Sequence, residues 1–135
     1  MPHSAPLPHL QATLHGKAAP RRARAIVGAM IEAAGGDPPA AERIVLMISE
    51  VVTNALRAAD GCTLAARLLG DGDAIRIEVF DASPELPRLL PVDPSRIGGH
   101  GLRIVDTLSD RWGVTPHQTG KTVWLEARLH AAAGH

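Results

Sequence analysis

IVLMISEVVTNALRAAD, from Ile44 to Asp60, reads as one long helix with two faces. Ile44, Ile48, Val51, Val52, Ala55 and Ala59 recur at steps of three and four, which makes an apolar stripe. At about 3.6 residues per turn, Glu50 and Asn54 fall on one polar face roughly 40° apart, and Arg43 and Arg57 fall on that face too. A carboxylate one turn from a carboxamide suits phosphate chemistry. The Glu can accept a proton from water or a substrate hydroxyl, and the Asn carbonyl is a hard oxygen ligand for Mg²⁺ beside a triphosphate. Exposed helix faces take polar residues freely, so the pair alone says little. It gains meaning from three elements that follow in order: Asp81 closing a strand, a Gly-rich turn into a helix at Gly98 to Leu102, and Gly-x-Thr opening a last strand at Gly120 to Thr122.

Upstream, Asp37-Pro38 is a start signal for this helix, with Asp as cap and Pro at the first helical position. An earlier helix begins near Pro20 and carries the stripe Ala23, Ile26, Val27, Met30, Ile31 and Ala34, ended by Gly35-Gly36. Arg21, Arg22 and Arg24 crowd its first turn, either as a solvated face or as a contact for an acidic partner. His9 to His15 alternates loosely, as an edge strand does. Residues 1–8 read as a flexible leader and residues 131–135 as a tail, with a single domain over 9–130 between them.

Downstream, Thr63 to Leu69 and Ile75 to Phe80 alternate as strands around a Gly70-Asp71-Gly72-Asp73 hairpin turn. Four prolines (Pro84, Pro87, Pro91 and Pro94) make Ala82 to Arg96 a loop. A helix is expected from Leu102 to about Ser109 and a short strand over Trp112 to Thr115. After a turn across Pro116 to Gly120, the last strand runs from Thr122 to Leu129, with Val123, Leu125, Ala127 and Leu129 on its core face. Helices alternating with an antiparallel meander predict an α+β fold, one sheet covered by helices on one face.

Composition sets bounds on function. The 135 residues carry 14 Lys+Arg against 14 Asp+Glu, so no bulk charge draws the chain to nucleic acid or a membrane surface. No apolar run reaches the ~20 residues of a membrane span. One cysteine, Cys62, allows no internal disulfide and fits a reducing cytoplasm, where it serves as a small buried apolar residue. With Phe80, Trp112 and Trp124 as the only aromatics, the core is built from Ala, Leu, Ile and Val.

Five segments taken together carry a resemblance: SEVVTNA (Ser49 to Ala55), VFDASPELP (Val79 to Pro87), GGHGLRIV (Gly98 to Val105), DRWGV (Asp110 to Val114) and GKTVW (Gly120 to Trp124). Their order and spacing resemble the ATP-binding domain of anti-sigma regulatory factors, the small serine/threonine-kinase-like members of the superfamily that includes gyrase and histidine-kinase ATPases. That resemblance covers roughly residues 10 to 130. It implies a two-layer α/β sandwich with a mixed, mostly antiparallel sheet, and ATP and Mg²⁺ as cofactors.

It also implies roles. Glu50 would be the general base and Asn54 the Mg²⁺ ligand. Asp81 would read the adenine amino group, with Thr122 beside it on the next strand sharing a water with carboxylate and ring. Gly98, Gly99, Gly101 and Leu102 would bring backbone N–H groups and a helix N-terminus to the phosphates. His100 would touch phosphate or sit exposed on a lid, Arg57 would offset phosphate charge, and Ser83 belongs to the adenine motif. Taken without the resemblance, Asp81 also suits a loop Asp capping its own turn, and Thr122 a surface strand Thr.

The chain departs from the common pattern twice. Ala58 stands where many relatives have His, and Asp81-Ala82-Ser83-Pro84-Glu85 replaces the kinase-type D-x-G-x-G. Two functions follow. One is an enzyme, a protein kinase that phosphorylates a serine on an anti-sigma-factor antagonist and sequesters a sigma factor. The other is a partner-docking or nucleotide-binding module without catalysis. The resemblance further implies a homodimer paired through the sheet edge away from the nucleotide.

Overall fold

The computed structural model describes residues 9–83 and 101–130. In chain order the elements are β1 (His9–His15), α1 (Ala19–Ala33), α2 (Pro38–Ala58), β2 (Gly61–Leu69), β3 (Ala74–Asp81), α3 (Gly101–Leu108), β4 (Arg111–His117) and β5 (Gly120–Arg128). The expected leader, the Pro-rich loop from Pro84, the glycines Gly98 and Gly99 with His100, and the tail lie outside the described residues.

α2 starts where Asp37-Pro38 predicts. Asp37 Oδ1 accepts from the Ala40 backbone N–H at 2.9 Å, satisfying one of the donors a helix start leaves unpaired. The stripe is buried as read, at Ile44, Ile48, Val51, Val52 and Ala55, and it also includes Met47 and Ala40. Ala59 is instead the extended C-cap, so the helix stops just before Asp60. α1 ends at Ala33 with Ala34 as its C-cap, and Gly35 follows with a φ of +76°, left-handed backbone that glycine adopts without strain.

The five strands form one sheet in the order β1-β2-β3-β5-β4, and all four neighbouring pairs are antiparallel. The mostly antiparallel expectation holds with no parallel pair among the described residues. β1 lies at one edge, as its loose alternation suggested, and β4 at the other. Pro116 lies within β4 rather than in the turn, and Gln118-Thr119 alone turn the chain. An edge strand tolerates a residue that cannot donate to the ladder.

The layer of helices covers one face of the sheet. α2 packs against α1, α3, β2, β3 and β5. Ile75, Ile77 and Val79 of β3 and Val123, Leu125 and Ala127 of β5 meet α2 and are buried. Truncating Ile48, which is wholly buried, would cost about 2–5 kcal/mol through lost transfer energy and the cavity left behind. Among the described residues, no helix is long and apolar enough to cross a membrane.

Candidate functional site

Alternation along β3 carries the inward face from Ile75, Ile77 and Val79 to Asp81, at the end of the strand. The apolar row therefore ends in a carboxylate 2% exposed. On β5 the same face runs backwards from Ala127, Leu125 and Val123 to Lys121, and the register pairs Asp81 with Lys121. Lys121 Nζ donates to Asp81 Oδ1 at 2.9 Å, and both side chains are buried. The Ser83 backbone N–H donates to that same oxygen at 2.9 Å. Asp81 thus caps its own turn, an Asx turn, as well as standing at the predicted reading position.

Gly120 makes this approach possible. A Cβ there would strike the carbonyl oxygen of Asp81 and come within 2.8 Å of Ala82 Cα. Only a residue without a side chain lets β5 begin this close to the end of β3.

Thr122 does not lie where it was expected. It pairs with Phe80, one step from Asp81, so its side chain is on the opposite face of the sheet. There its hydroxyl makes a 2.8 Å hydrogen bond with His117 Nε2, and the His117 ring lies 5.8 Å from that of Phe80. The side chain beside Asp81 is instead that of Lys121. The signal was present: with Val123, Leu125 and Ala127 inward, alternation puts Lys121 inward and Thr122 outward.

Next to Asp81 opens a cleft of about 500 Å³ between the ends of β1 and α2, the start of β2 and the end of β3. Ala58, Asp60, Cys62, Phe80 and Asp81 are among its walls. The small residue at position 58 thus falls on the cleft wall. Of the predicted site residues, only Asp81 lines it. Burial pushes the Cys62 thiol up to about 11, and the nearby negative charge of Asp81 adds to the shift.

Glu50 and Asn54 lie one turn apart on α2 and are half-buried, while Arg57 is exposed in its last turn. Ser83 and Leu102 are buried. Gly101 opens α3, whose inward residues Leu102 and Val105 face the core. Arg24 donates to Ser49 Oγ at 3.0 Å and so ties α1 to α2, whereas Arg21 and Arg22 are exposed. Among the described residues, no three His, Cys, Asp or Glu side chains gather closely enough to hold a metal ion.

The sequence profile of the histidine kinase-like ATPase domain matches residues 16–127. No curated protein matches the chain. The structure of the RsbU and RsbW domains of Rv1364c from Mycobacterium tuberculosis superposes with a TM-score of 0.70 at 28% identity, over 93% of this chain and 33% of that one. The histidine kinase domain of the blue-light-activated histidine kinase EL346 from Erythrobacter litoralis superposes with a TM-score of 0.52 at 25% identity, over 87% of this chain and 65% of that one. This chain therefore spans less than two thirds of either structure.

Proposed function

Because the chain belongs to the histidine kinase-like ATPase domain family, we propose that it binds Mg·ATP beside the end of β3 and transfers a phosphate to a serine of an anti-sigma-factor antagonist. The observation that carries the reading is Asp81, a buried carboxylate at a strand end beside an open cleft. A buried carboxylate held by an ammonium gains little stability over apolar residues of similar size, so one kept beside a cleft is a candidate for use there.

Asp81 accepts the exocyclic amino group of adenine. Asn54 offers its carbonyl oxygen to the cation. The cation would be held by this one side chain and by the triphosphate, the usual arrangement for a small ion that dehydrates reluctantly. When bound, Mg²⁺ offsets the charge of the phosphate oxygens. Glu50, one turn from Asn54, takes the proton of the attacking serine hydroxyl. Arg57 adds positive charge near the phosphates. Gly98, Gly99, His100, Gly101 and the backbone of Leu102 would serve the phosphates, and Ser83 the adenine.

The protein acts by switching partners: phosphorylated antagonist leaves, and the domain then holds a sigma factor. A second copy pairs along an exposed sheet edge, β1 or β4. One observation favours the second reading, a docking module without catalysis. Asp81 Oδ1 already accepts from Lys121 and Ser83, which narrows what a base can reach.

Phosphate transfer from labelled ATP to a candidate antagonist separates the two. The kinase reading predicts transfer by wild type and a loss of about a hundredfold or more in Glu50→Gln. Transfer by Glu50→Gln at the wild-type rate removes Glu50 as the base. A protein that binds the antagonist and transfers nothing is a docking module.

A further inference from the structure

We propose that Lys121 is the positioning residue of the base-reading carboxylate: it ties down Oδ1 of Asp81 and leaves Oδ2 to accept the amino group of the purine. The inference rests on the nucleotide-binding reading above and names the residue that sets its base specificity.

A carboxylate on a flexible side chain can present either oxygen, and its terminal torsion is broad. Here two donors from two different elements, Lys121 Nζ on β5 and the Ser83 backbone N–H after β3, converge at 2.9 Å on one oxygen. That fixes the plane and the facing of the group. Oδ2 accepts from no described residue, although a carboxylate offers about four acceptor positions. The ionised group is acceptor-only, as recognition of an amino group requires; a protonated one would present a donor to a donor.

Stability gives little reason to keep such a pair. The Lys121 and Asp81 side chains are 5% and 2% exposed, and buried ion pairs often do no better than well-packed apolar residues of similar size. The local backbone is nevertheless shaped to deliver it. Gly120, where any Cβ would press on Asp81 and Ala82, lets β5 start against the end of β3 with Lys121 aimed at the carboxylate.

The test compares Mg·ATP with Mg·purine riboside triphosphate, which differs only in lacking the amino group. Affinities for both are measured on wild type, Lys121→Met, Lys121→Arg, Asp81→Asn and the Asp81→Asn/Lys121→Met double variant. Wild type is expected to prefer ATP by about tenfold, the worth of one well-made hydrogen bond to a charged group. Lys121→Met should lose most of that preference, and Lys121→Arg should restore part of it. In the Asp81→Asn background Lys121→Met should change the preference no further, because Lys121 acts through Asp81.

A wild-type preference kept by Lys121→Met overturns the proposal, as does an equal loss in the Asp81→Asn background. Wild type binding both nucleotides equally overturns it while leaving nucleotide binding intact. Wild type binding neither removes the nucleotide reading itself and the proposal with it. A measurement on wild type alone needs no variant to fold. With carboxyl-labelled aspartate, ATP should move the Asp81 carboxyl carbon resonance and the deaminated analogue should move it much less; equal shifts contradict the proposal.

Discussion

β3 and β5 carry ion pairs on both faces of the sheet, and the two sets are built differently. On the helix-covered face, Lys121 and Asp81 meet at 2.9 Å, 5% and 2% exposed. On the open face, Arg76 donates to Glu78 and to Glu126, each at 2.8 Å, and its guanidinium lies 4.3 Å from the centre of the Trp124 ring. Arg76 and Glu126 are 19% and 18% exposed, and Arg111 reaches Glu126 at 3.6 Å from the edge strand. Burial works against the Arg76 charge, but the two carboxylates outweigh it and hold the guanidinium above its usual range.

The open-face network spreads its charges over several partners and an aromatic ring, with water close by. It can lose a member and rearrange. The covered-face pair has one ammonium and one carboxylate, with no second charged partner for either among the described residues. The same two strands thus carry a shared surface brace on one side and an unshared buried pair, at the mouth of a cleft, on the other.

The sharpest way to break this contrast is Lys121→Met. It strands a buried carboxylate, so urea unfolding should show a loss of about 3 kcal/mol, and Asp81→Leu/Lys121→Met should regain most of it. A loss below about 1 kcal/mol would mean that the pair is solvated after all.

Arg76→Met should cost less, about 1 kcal/mol, and the difference from wild type should shrink in 1 M salt. A salt-independent loss as large as that of Lys121→Met would erase the distinction between the faces.

Gly113→Ala tests how tightly Trp124 is held. A Cβ at Gly113 would lie 2.8–2.9 Å from atoms of the Trp124 indole, which Arg76 covers as well. The ring must shift, at a cost of about 1 kcal/mol. Trp124 fluorescence should change with it, and an unchanged spectrum and stability would show that the ring is loosely seated.

The smallest effect belongs to Cys62, which lies on the covered face near Asp81. Its thiol ionises at about 11 in the folded protein against an ordinary 9.0. The folded state therefore holds the proton longer. This contribution is complete below pH 9 and fades as pH rises through about 11. Stability of wild type relative to Cys62→Ala should fall over that window, and parallel curves would place the thiol in water.

Much of this architecture was legible in the chain. Asp37-Pro38 marks the start of α2 because capping and a fixed φ act locally. The strand pairings follow from alternation and from the Gly70 to Asp73 turn. Thr122 departs from expectation for a plain reason: the Gly-x-Thr motif points to the threonine, while the strand period of two sends Lys121 to the core face. A period tells which face a residue takes but not what meets it there. The Asp81–Lys121 contact depends on the β3–β5 register, set by strands some forty residues apart. In the same way, Glu50 and Asn54 could be placed on one helix face by count alone, while the cleft beside Asp81 arises from four separate elements.

The most direct test of the central claim is calorimetric titration of Mg·ATP into wild type and Asp81→Asn. The account predicts binding by wild type and an affinity about tenfold or more weaker in Asp81→Asn, since the buried acceptor for the amino group is gone. Equal affinities in the two proteins, or no binding by wild type at millimolar ATP, would contradict it.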